Sequence, residues 1–162
     1  MLKKLILALL AILVIIQVFR PAKNLSNDNT YHISKKYSIP GNVQTLLEGA
    51  CYDCHSNKTE YPWYAEIQPS AWWLANHVNE GKEHLNFSEF TNRKLSYQNH
   101  KFEEIVELVE EKEMPLKSYT WFGLHPEAKL TDEERDEIIT WANVHMDYLR
   151  ATYPTDSLVR GR

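Results

Sequence analysis

From Leu5 to Phe19 the chain is apolar at every position except Gln17, with Lys3 and Lys4 ahead of the run and Arg20-Pro21 behind it. Beyond residue 40 the apolar positions recur at helical spacing instead. Val43, Leu46 and Leu47 share one face of a short helix running into Cys51. Ser70 is placed to cap a helix in which Trp73, Leu74, His77 and Val78 form a stripe, with Gly81 as its expected end. A third helix is predicted over about 98–112, with Phe102, Ile105, Val106 and Val109 inward and Glu103, Glu104, Glu107, Glu110 and Glu111 outward. The last is the best signalled: Thr131 and Glu134 can form a capping box, and Ile138, Trp141, Ala142, His145 and Leu149 follow at helical spacing. No segment alternates like a strand for long, so the expected fold is all-α.

This pattern divides the chain into a membrane-directed segment (1–21), a polar linker (22–40), a helical domain (41–150) and a tail (151–162). The first segment reads as an uncleaved anchor, because Val18-Phe19-Arg20-Pro21 offers no small-x-small cleavage site; a cleaved signal peptide is the alternative. Fifteen apolar residues rise about 22 Å, less than a hydrocarbon core of roughly 30 Å, so Lys3, Lys4 and Arg20 would have to snorkel. The two lysines favour an amino end in the cytoplasm and a domain outside it. The stretch from Asn24 to about Pro40 has no hydrophobic period and reads as a tether.

Composition supports one ordinary domain: 162 residues, 43 % apolar and 12 % aromatic, suffice for a core. Setting aside Lys3, Lys4, Arg20 and Lys23, four of the 18 basic residues, leaves 14 basic against 22 acidic, a balance of −8 that argues against nucleic acid as a partner. The connections expected at about 52–69, 82–96 and 114–130 are long for a compact helical domain. A large bound cofactor would organise them.

The chain's two cysteines stand together in Cys51-Tyr-Asp-Cys54-His55. A thioredoxin-like pair would need a βαβ context, which is lacking. A structural zinc site would need further ligands at short spacing, and a disulfide over so short a loop would constrain little and leave His55 unused. In C-x-x-C-H both thiols form thioethers to the vinyl groups of a haem while the histidine binds its iron from below. Cys51 and Cys54 are therefore the expected attachment points and His55 the proximal ligand of a haem c. Trp63, Tyr64, Trp72, Trp73, Trp121 and Phe122 are candidate walls.

CYDCHSN, together with YPWY, the I-x-P-S-x-W-W of 67–73, HVNEGKEHLNFSEF at 77–90, MP at 114–115 and HPEAKLTDEE at 125–134, resembles the bacterial haem-binding domain family related to cytochrome c. The resemblance covers about 40–150. It implies a small cytochrome c-like helical domain with covalently bound haem, exported and often tethered to a membrane. Two positions depart from the family's pattern: Met-Pro-Pro is Met114-Pro115-Leu116 here, and an arginine is replaced by Lys82.

The sixth iron ligand decides the chemistry, since a thioether raises the reduction potential, a second imidazole lowers it and an open position admits small ligands. Met114 is the first candidate, in an irregular segment beyond a helix, and His77 the second; His84, His100, His125, His145 and Met146 are the remaining ones. The free ring nitrogen of His55 needs an acceptor, for which the Pro69 carbonyl resembles the position used in cytochromes c. Trp73, Asn86, Lys82 and Arg93 are candidate donors to the haem propionates. The expected function is one-electron transfer with a redox partner protein, in the periplasm at the inner membrane. A haem-based redox or gas sensor and a peroxidase-like protein are the alternatives.

Overall fold

The structure is a computed structural model and describes residues 1–159. It is all-helical as expected. Among the described residues there is no strand, only an isolated bridge between Tyr31 and Glu89. The α-helices are α1 (Leu2–Ile16), α2 (Gly41–Ala50), α3 (Tyr52–His55), α4 (Ser70–His84), α5 (Leu95–Glu110), α6 (Asp132–Thr152) and α7 (Thr155–Leu158). Short 3₁₀ turns at Ile33–Lys35, Trp63–Glu66, Lys117–Gly123 and Pro126–Ala128 break up the long connections.

The main core lies between α5 and α6. Phe102, Ile105 and Val109 of the first meet Ile138, Trp141, Ala142, Met146 and Leu149 of the second, the faces that the helical period selects. The predicted capping box is present: the Thr131 side chain accepts from the Glu134 amide, and the Glu134 carboxylate from the Thr131 amide. His145 is a hydrogen-bonded core residue here, its Nε2 2.9 Å from the Ser38 carbonyl and its ring against Tyr37, Phe102 and Trp141. Burial holds its pKa below the usual histidine range, an effect the Ser38 carbonyl partly offsets.

Three expectations about organisation are corrected. The segment 24–40 is not a free tether. Ile33 and Tyr37 are fully buried in the main core, and Asn24 is bonded to Ser56, Thr59, Tyr61 and Lys82. Its polar composition hid this, because the segment packs through a few isolated apolar residues and many side-chain hydrogen bonds rather than through a periodic face. Gly81 does not end α4, which runs on to His84. A Cβ at Gly81 would lie 2.6 Å from the Cys54 carbonyl oxygen, so the glycine lets α4 press against α3. The tail also belongs to the fold in part: α6 continues to Thr152, and Leu158 of α7 is buried in the core, while residues 160–162 lie outside those described.

Helix α1 stands apart. All of its 15 residues from Leu2 to Ile16 remain unburied, and among the described residues no helix is long and apolar enough to cross a membrane.

Candidate functional site

A cavity of about 550 Å³ opens beside α3, within the roughly 300–1,000 Å³ range of small-molecule sites. Cys51, Cys54 and His55 lie on one wall. α4 contributes Trp73, Leu74, His77, Gly81 and His84; α5 contributes Lys101, Glu104, Ile105, Leu108 and Val109. Met114, Pro115 and Tyr119 come from the segment after α5.

α2 delivers the cysteines. Val43 and Leu47 bury its inner face, and the backbone carries directly into α3 through the Cys51 amide bonded to Leu47. Burial pushes the Cys51 thiol up to about 12 and the Cys54 thiol up to about 11. Thiols so disfavoured as thiolates make a poor exchange pair, which needs the anion. As thioethers the same sulfurs would be neutral and suited to apolar surroundings. Among the described residues no cluster of His, Cys, Asp and Glu is arranged to hold a metal ion by itself.

The geometry of His55 is the most informative in the site. Its Nδ1 lies 2.8 Å from the Gly81 carbonyl oxygen and 3.0 Å from that of Leu85. Carbonyl oxygens only accept, so Nδ1 carries the proton and Nε2 keeps a free lone pair, as a metal-ligating imidazole requires. Burial depresses the His55 pKa, with the two carbonyl bonds opposing, which favours the neutral ring. This corrects the expectation for Pro69. Its carbonyl instead accepts from the Trp72 and Trp73 amides at the start of α4. The acceptors come from the opposite end of that helix, where the glycine contact brings the Gly81 carbonyl to His55.

Around the motif the backbone is pinned on every side. Asp53, between the cysteines, accepts from the Tyr119 hydroxyl at 2.6 Å and the Glu60 amide at 2.8 Å. Tyr119 stacks on His125 with ring centroids 4.0 Å apart, and the Tyr64 hydroxyl meets His125 Nε2 at 2.7 Å. Burial first, then the Asp53 contact, pushes the Tyr119 phenol far up, so it stays protonated and donating. The Phe87 amide donates to the His55 carbonyl, and Asn57 is tied to Asp28, Asn86 and Ser88.

The two leading candidates for the sixth ligand, Met114 and His77, line the cavity, and so does His84. The Met114 amide donates to Leu108, and its carbonyl accepts from Arg135, which also bonds the Val109 carbonyl. The main chain at Met114 is thus fixed where the residue borders the cavity. His77 donates Nδ1–H to the Trp73 carbonyl at 2.9 Å, leaving Nε2 free. Met146 and His145 lie in the main core and His125 in the Tyr64 network; none of the three lines the cavity, nor does His100, which pairs with Glu103 and Glu104.

Of the predicted aromatic walls only Trp73 lines the cavity. Trp63, Trp72, Trp121 and Phe122 are exposed, and Tyr64 packs on the small cluster of Ala65, Leu74 and Val78. Aliphatic side chains take the place of those aromatics in the walls, because the helical stripes that face inward carry Leu, Ile and Val. The candidate propionate donors are also redistributed: Lys82 bonds Asn24, Asn86 bonds Asn57, and Arg93 pairs with Glu89, leaving Trp73 as the one that borders the cavity. Sequence reasoning missed Lys101, which is buried, pairs with Glu104 and lines the cavity. The signal was available, since position 101 falls on the inward stripe with Phe102, Ile105 and Val109, where an unexplained lysine asks for an anion.

The shape, the apolar lining, the neutral imidazole and the adjacent thiols fit a haem. A family model described as a haem-binding domain matches residues 11–144. No curated protein and no solved structure matches the chain. The match reaches well before residue 40, in keeping with the packing of 24–40 against the helices.

Proposed function

The chain belongs to the haem-binding domain family, and from that premise we propose that it is a c-type haem protein that passes single electrons. The observation that carries this reading is the His55 ring, locked by the Gly81 and Leu85 carbonyls with Nε2 free, beside two half-buried free thiols on one cavity wall. Cys51 and Cys54 would hold the haem through thioethers, each thiol adding across a vinyl double bond with sulfur to one carbon and hydrogen to the other, which needs no net oxidant. His55 would offer Nε2 to the iron, and Met114, its main chain held by Leu108 and Arg135, would offer its thioether as a further ligand.

Haem bound in this way supplies a one-electron couple that changes without rearranging ligands. The protein's part is to keep that couple dry and rigid: aliphatic side chains exclude water, and Lys101 is the only lysine or arginine lining the cavity among the described residues, placed to offset a propionate. His77 gives the second reading, bis-imidazole ligation at lower potential, which its free Nε2 favours. A haem sensor or a peroxidase-like protein would require an iron position that opens.

Helix α1 is read as a membrane anchor that holds the haem domain on the periplasmic face of the inner membrane, where a redox partner protein exchanges electrons with it. Its wholly unburied apolar surface supports this reading.

Spectra of oxidised and reduced protein, with and without carbon monoxide, test the function. Electron transfer predicts a six-coordinate haem that binds carbon monoxide slowly or not at all; rapid binding would replace it with the sensor reading. Met114→Ala is expected to abolish a near-infrared thioether–iron(III) band and lower the potential, with His77→Ala leaving both unchanged. Absence of that band from the parent protein, with a spectrum that changes in His77→Ala and not in Met114→Ala, assigns His77.

A further inference from the structure

Residues 17–24, between α1 and the domain, have little freedom. The Gln17 and Gln68 groups bond reciprocally, the Gln17 side-chain amide to the Gln68 carbonyl at 3.2 Å and the Gln68 amide to the Gln17 side-chain oxygen at 3.0 Å. The Phe19 carbonyl accepts from the Gln68 side chain at 2.7 Å and from the Trp72 indole at 3.0 Å. Arg20 and Lys23 both meet Glu66, and residues 20–23 line a small cavity together with Ala65, Ala71 and Ala75. The carboxyl end of the apolar helix is therefore fastened to the segment 63–72.

That segment carries large apolar side chains that the domain leaves unused. Trp63 is 71 % exposed, Ile67 47 % and Trp72 41 %, next to Phe19 at 61 %. Tryptophans flanked by cations at the end of an apolar helix suit the boundary between hydrocarbon and headgroups. Exposure of this size on a fixed surface asks for an apolar cover. The cover is indicated by the chain itself, because the surface is continuous with α1, whose residues are all unburied.

We infer that Trp63, Ile67 and Trp72 form a lipid-facing seat by which the haem domain rests flush on the bilayer surface, rather than swinging on a flexible tether. The inference rests on the reading of α1 as membrane-inserted. Its consequence is positional: Trp73, the residue after Trp72, lines the haem cavity, so one wall of the site is held at a fixed distance from the lipid.

The test uses the full chain with its haem in phosphatidylcholine–phosphatidylglycerol vesicles containing a phospholipid with a diazirine near the headgroup end of its acyl chain. After illumination, labelled peptides are mapped by mass spectrometry. The expected result is label on both α1 and 63–72, with none on the equally exposed turn that carries Trp121, and loss of the 63–72 label in the double variant Trp63→Ser, Ile67→Ser while that on α1 remains. Label on α1 alone, or equal label on 63–72 and the Trp121 turn, overturns the seat and leaves the anchor standing. Absence of label on α1 overturns both, and leaves the haem assignment to be judged by its spectra.

Discussion

At the residue scale the site depends on a close contact that looks like nothing in the sequence. Gly81 was expected to stop a helix, yet it sits inside α4 with the Cys54 backbone where its side chain would be, and its carbonyl orients His55. Gly81→Ala must push α3 and α4 apart. It is expected to lower stability by about 1–3 kcal/mol, read as a fall in the urea midpoint, and to reduce haem retention in the same variant. Wild-type behaviour on both counts would show that α4 does not position the ligand. Protonation is legible at this scale too. Burial depresses the pKa of His32 and of His145. The unfolded chain therefore binds more protons at mildly acid pH, so their contribution is complete above about 6.5 and is lost as pH falls through the folded values. Denaturation midpoints between pH 7 and 5 should fall, and His145→Gln should flatten that dependence; an unchanged slope would exclude His145 as a contributor.

At the scale of elements, periodicity located the helices well where one face is apolar and the other charged. α5 and α6 lie close to their predicted positions with the predicted residues inward. Thr131→Ala removes one half of an observed capping box and should cost about 1 kcal/mol, measured by thermal or urea unfolding; no loss would mean that the end of α6 is held by packing alone. Periodicity failed for 24–40, where Ile33 and Tyr37 are buried without a helical or alternating neighbourhood. It failed as well for the aromatic walls, because Trp63 opens a 3₁₀ turn and Trp121 and Phe122 form a non-helical kink, so their side-chain directions follow from chain reversals rather than from a period. The cysteine–histidine motif was readable because its spacing is set by covalent chemistry. The acceptors of His55 were not, since they are backbone atoms brought together only by tertiary packing.

For the whole molecule, the pieces agree on one arrangement. A single helical body surrounds an apolar cavity, one wall carries two thiols and a neutral imidazole, and an unburied apolar helix is fastened a short distance away. The outer face of α5 is acidic, with Glu103, Glu107, Glu110 and Glu111 exposed. Covalent haem at Cys51 and Cys54 is the claim on which the functional account depends. It is tested most directly by intact mass, under denaturing conditions, of protein exported in a host that matures c-type haem, with a pyridine haemochrome spectrum on the same sample. The account predicts one haem retained per chain and the spectrum of two thioether links. A mass equal to the bare polypeptide, with the thiols free or joined to each other, would contradict it.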